Sequence, residues 1–84
     1  MDDRVDLLEA TRQHLSLSLS DLWWDYFKIG GMGTQLEIEA VLYHALIPTD
    51  QDYDLLAVAL NERSVQLGGG YVIPYSTDPD DWNA

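Results

Sequence analysis

Residues 18–33, SLSDLWWDYFKIGGMG, constrain this chain more than any other stretch. They hold two of its three tryptophans, a tyrosine and its one phenylalanine, then stop at three glycines within four positions. Ser18 suits a helix N-cap, and Asp21 stands where a capping box places its acid. Leu17 and Leu22 occupy the two positions of a hydrophobic staple around the same cap. Leu19, Leu22, Trp23, Tyr26 and Ile29 recur at helical spacing and predict a core stripe. Trp24 and Phe27 widen that stripe, leaving Ser20, Asp21, Asp25 and Lys28 as the polar side. Asp25 and Lys28 are spaced for a weak ion pair. Gly30 suits the left-handed residue that closes a helix, and Gly31 and Gly33 read as slack in the turn that follows.

The remaining segments use the same grammar. Asp2 or Asp3 caps a first helix running to about His14. Val5, Leu8, Thr11, Arg12 and Leu15 lie on one face with Leu7 beside them, a stripe weakened by Thr11 and Arg12. Thr34 with Glu37 forms a fuller capping box for a third helix, whose stripe reads Ile38, Val41, Leu42, Ala45 and Leu46 with Leu36 leading in. Pro48 is expected to end it. A fourth helix starts at Thr49 or Asp50, carries Tyr53, Leu56, Leu60 and Leu67 as its seam with Ala57 and Ala59 alongside, and ends at Gly68–Gly70. Tyr71-Val72-Ile73 is β-prone but has no partner strand, so an extended arm through Pro74 and Tyr75 is expected over the helices. STDPDDWNA, from Ser76, reads as a disordered acidic tail.

Short connections between four short helices predict a compact, mostly antiparallel all-α bundle. The expected organisation is one domain over residues 1–75 and a tail over 76–84. Eighty-four residues leave little surplus stability, because a chain this short removes only roughly 60–65% of its unfolded surface from water. No cysteine is present, so neither disulfides nor thiolate-held metal can staple the fold, which fits a reducing cytoplasm. The acidic opening MDDRVDLLEA has no apolar run of the kind a secretory signal needs. No segment reaches the roughly 18 apolar residues of a membrane span.

Fifteen acidic against four basic residues give a net charge of −11. Binding to nucleic acid draws its affinity from Lys and Arg on phosphates, and Arg4, Arg12, Lys28 and Arg63 are too few and too scattered for that. Anionic membranes are disfavoured for the same reason. A basic protein surface would be attracted.

Four constellations invite a chemical reading, and each fails on its spacing or its charge. Asp50, Asp52 and Asp54 open like a calcium loop, but the sixth and twelfth positions hold Leu55 and Asn61 instead of glycine and glutamate. Helix-start acids explain them. Gly30-Gly31-Met32-Gly33 follows a helix and precedes no lysine, so it is a turn and not a phosphate loop. His14 and His44 belong to different helices, and neither has a second ligand one turn away. No GxSxG, cysteine or lysine arrangement supports a nucleophile. The second and third helices have a helix–turn–helix outline, but Thr34, Gln35, Glu37 and Glu39 would turn carboxylates towards phosphate. No catalytic residue, metal ligand or cofactor site is therefore expected.

The aromatic segment carries the functional reading. One helix cannot easily bury Trp23, Trp24, Tyr26 and Phe27 on one side, since Trp23 and Trp24 project about 100° apart. Two readings stand: core sealed by the arm, or a partly exposed contact surface with an acidic rim. The expected protein-binding residues are Trp24, Phe27, Tyr71, Ile73 and Tyr75, since tyrosine and tryptophan are enriched in interface hot spots. The expected function is a small, acidic, cytoplasmic, non-enzymatic module that binds another protein with a basic surface, or a second copy of itself. Regulation of transcription or stress response through a protein is one form of this, and a nucleic-acid mimic is another. Helix–turn–helix DNA binding ranks last on charge.

Overall fold

A computed structural model describes residues 3–70 and residue 73. The described residues form four helices and no strand: α1 (Asp3–His14), α2 (Leu19–Lys28), α3 (Gln35–Leu42) and α4 (Asp50–Gln66). The all-α, four-helix expectation holds. Of the expected arm only Ile73 is described, and the tail lies outside the described residues.

Three helix starts follow the local signals. Ser18, Thr34 and Thr49 each have extended backbone and accept the N–H of the residue three positions on. At Thr34 the exchange is reciprocal, with Glu37 accepting the Thr34 N–H at 3.2 Å. Leu17 and Leu22 are both buried, as a staple requires.

The helix ends are less expected. All four close in Schellman motifs, with paired backbone bonds from the two residues after the cap. These are Ser16 to Gln13 with Leu17 to Arg12, Gly30 to Phe27 with Gly31 to Tyr26, His44 to Val41 with Ala45 to Ala40, and Gly68 to Val65 with Gly69 to Ser64. The left-handed position is glycine in two cases, but Ser16 (φ 55°) and His44 (φ 64°) in the others. The His44 closure corrects the predicted third helix. It ends at Leu42, well before Pro48, and Ala45 and Leu46 leave the stripe and are exposed. Leu36, Ile29 and Leu67, expected on or beside core stripes, are also exposed. Ile29 and Leu67 are the cap residues of α2 and α4, where the chain already turns away from the helical face.

The core joins Val5 and Leu8 of α1, Leu17, Leu22 and Tyr26 of α2 and its lead-in, Ile38, Val41 and Leu42 of α3, and Tyr53, Leu56, Ala57, Ala59 and Leu60 of α4, with Ile73. α4 packs on α1 and α2, and α3 packs on the same two helices. Packing thus does not simply follow chain neighbours, as a row of antiparallel hairpins would. Thr11 is buried in the α1 stripe because its hydroxyl donates to the Leu7 carbonyl at 2.7 Å. Arg12 clears the core by donating to Glu9 (Nη2–Oε2, 2.9 Å) and to the Leu17 carbonyl (2.9 Å), which ties α1 to the next cap.

Asn61 is a buried polar residue on the core side of α4. Its amide clasps one residue: Nδ2 donates to the Ile73 carbonyl and Oδ1 accepts the Ile73 N–H, both at 2.9 Å. The side chain stands in for the missing neighbouring strand, satisfying backbone that burial would otherwise leave unpaired.

Two expected outcomes follow, both read as urea midpoints. Asn61→Ala strands both backbone groups of Ile73 and costs about 2–4 kcal/mol. Ser16→Gly relieves a left-handed L-residue and gains about 0.5–1 kcal/mol.

Candidate interaction face and its supports

The outer side of α2 is built from the inside out. Leu22 and Tyr26 point into the core, and Leu19 and Trp23 pack partly against it. At 100° per residue, the apolar arc from Leu22 round to Trp24 spans about 200°, wider than the core-facing stripe of a surface helix. Phe27 and Trp24 end that arc at 48% and 52% exposure, so half of each ring lies at the surface.

They are ordered surface. Trp23 and Phe27 stack at 5.2 Å between centroids, Phe27 and Trp24 at 5.7 Å with ring planes 18° apart, and Trp23 and Trp24 lie 6.1 Å apart and tilted, so the three rings close a triangle. Its inner corner is pinned, because the Trp23 indole N–H donates to the Gly33 carbonyl at 2.9 Å. Of the other expected contact residues, Ile73 is 3% exposed and turned into the core, so it takes no part in this face. Tyr71 and Tyr75 lie outside the described residues.

Tyr26 holds the helix that carries the face. Its ring is fully buried, its hydroxyl donates to Asp52 Oδ1 at 2.7 Å, and it accepts the Gly33 N–H at 2.8 Å. The glycine turn is therefore tight where the sequence suggested slack. A β-carbon on Gly31 would lie 2.3 Å from Tyr26 Cε1, and one on Gly33 would lie 3.0 Å from the hydroxyl. Asp52, read from sequence only as a helix-start acid, is the acceptor of this inter-helix bond. Burial, and then the bond to Asp52, push the Tyr26 phenol above its ordinary 10.0.

The cations are spoken for. Arg63 donates to Asp25 at 2.8 Å, and Lys28 lies 3.4 Å from the same carboxylate, the i,i+3 pair expected from sequence. Arg12 is held by Glu9, and Arg4 lies 3.8 Å from Asp50. All four Lys and Arg side chains thus stand beside the chain's own carboxylates, and the charge left for a partner to meet is negative.

The two histidines lie in separate grooves. His44 Nε2 lies 2.7 Å from Asp6 Oδ1 in an open groove of about 460 Å³ lined by Glu9, Ala10, Gln13, Leu42 and Tyr43, with no serine, threonine or lysine. His14 lines a different groove with Ser64 and Gly68–Gly70. A cleft of about 270 Å³ between α2 and α4 is lined by the paired Asp25, Arg63 and Lys28. Among the described residues no three His, Asp or Glu side chains are grouped to hold a metal ion, and no helix is long and apolar enough to cross a membrane.

Tyr26→Phe is expected to cost about 1.5–3 kcal/mol at neutral pH, because it strips a carboxylate and a backbone N–H of their shared partner. The folded phenol titrates above the unfolded one, so its contribution is full below pH 10.0 and is lost as pH rises beyond that. Denaturant titrations of both proteins between pH 7 and 11 should show a constant gap up to about pH 10 that narrows above it. Comparison with protein-family models, with curated proteins and with solved structures finds no match for this chain.

Proposed function

We propose that this chain is a small, non-enzymatic, cytoplasmic protein-binding module with a regulatory role, engaging its partner through the Trp24–Phe27 face. The observation that carries the reading is the pair of half-exposed stacked rings on a braced helix. Half-exposed aromatic side chains forgo about half of the roughly 1.5–3 kcal/mol that full burial of each would give, and a partner's surface recovers it. A pinned ring cluster also loses little conformational freedom on binding, which favours a hot spot. The negative field of the remaining surface suits a basic partner and would speed encounter with it.

A nucleic-acid mimic that occupies a basic protein groove is the second reading, favoured by the internal pairing of every cation. The two differ in what salt does. At about 1 M salt the Debye length falls to near 3 Å, so a mimic is released while an aromatic contact persists.

Trp24→Ala/Phe27→Ala should lose about 1–3 kcal/mol of stability, because each ring is half-buried and stacked on its neighbours, and should still fold. It should also fail to capture whatever the native chain retains from lysate at both salt levels. Capture that ignores the double substitution and vanishes in high salt would transfer the function to the carboxylates.

A further inference from the structure

We propose that the α2 face reads arginine: the Trp24 indole and the Asp21 carboxylate form one site for a guanidinium group on the partner. This rests on the reading of that face as a protein-binding surface and specifies what it recognises.

The chain already builds this arrangement once for itself. In the first turn of α4, Asp50 and Tyr53 are three residues apart, and the Arg4 guanidinium lies 4.8 Å over the Tyr53 ring and 3.8 Å from the Asp50 carboxylate. Asp21 and Trp24 repeat the acid–x–x–aromatic spacing on α2, which puts their β-carbons roughly 5–6 Å apart on one side of the helix. Here no arginine of the chain fills the place. Asp21 is exposed, its backbone N–H is used by Ser18, and among the described residues no ion pair engages its carboxylate. Asp25, one turn on, is the contrasting case, closed off by Arg63 and Lys28.

The geometry selects guanidinium over ammonium. Trp23, Phe27 and Trp24 close a triangle of rings that leaves the Trp24 indole half-exposed, and a planar delocalised cation can lie on that indole. The same cation can donate two parallel bonds to the neighbouring carboxylate. A lysine ammonium is compact and strongly hydrated and can do neither as well. The unneutralised negative charge of the chain brings cations of either kind to the surface, so discrimination between them must come from the stack and the fork.

The test compares acetylated hexa-arginine and hexa-lysine peptides of matched length at low salt, by tryptophan fluorescence and by amide and indole NMR shifts. Hexa-arginine should bind about 3- to 10-fold tighter, with shifts centred on the Asp21 amide and the Trp24 indole. Asp21→Asn and Trp24→Leu, which keeps an apolar side chain without a π face, should each bring the ratio to about one. Glu62→Gln, which removes the same charge from another exposed position, should leave the ratio in place. Equal affinity for the two peptides in the native chain, or a preference that survives Trp24→Leu, overturns the proposal. If equal affinity accompanies Trp24-dependent capture from lysate, arginine reading falls and the protein-binding face stands. If Trp24 affects neither measurement, both fall together.

Discussion

The fold depends on what Tyr26 can reach from the middle of α2. A fully buried phenol must find partners, and this one finds a carboxylate 26 positions away on α4 and an N–H in the turn 7 positions on. Those two bonds set the helix against α4 and the turn against the helix. They also explain the glycines more fully than loop freedom does. Gly30 supplies the left-handed closure, whereas Gly31 is glycine because the Tyr26 ring occupies the volume of a β-carbon. Any side chain there would have to displace a fully buried ring.

Around that bond the chain is economical with connections. Every helix ends in the same pair of backward bonds, and Leu17 belongs at once to the close of α1 and the staple of α2. Such ends turn the chain within a few residues and give partners to two of the four carbonyls that a helix end leaves open. The polar groups that must enter the core are matched in kind. Among the described residues no buried side-chain nitrogen or oxygen lacks a partner, and the Asn61 clasp on Ile73 is the clearest case. A small core with little surplus energy tolerates few unpaired groups, so this completeness matters more here than in a larger domain.

The surface divides into two parts with different physics. Carboxylates in excess carry a diffuse negative field that screening weakens, since the cations are paired at home. The aromatic cluster on α2 is short-ranged, apolar and braced from within. It exists because the apolar arc of α2 is wider than the packing surface its neighbours provide. Affinity through such a face would come from the rings, and orientation and rate from the charge.

Local chemistry was legible before any coordinate. Ser18, Thr34 and Thr49 as caps, Gly30 and Gly68 as closures, and the Asp25–Lys28 pair all depend on residues within one turn of each other. The same locality misled at Ser16 and His44, where L-residues adopt the glycine conformation, and so the third helix was expected to run on to Pro48. Asn61 did offer a signal: a polar residue four positions after Ala57, on the buried side of its helix. Its partner was not readable, because a backbone group 12 positions away leaves no mark in composition. Sequence by itself determined the helices, their starts and the width of the apolar arc on α2, since each follows from periodicity and capping within a few residues. Only the tertiary structure decided that Tyr26 would bond Asp52, that Ile73 would turn inward, and that Trp24 and Phe27 would remain at the surface. Those outcomes depend on how much of each helical face the other helices can cover, and a one-dimensional pattern does not contain that.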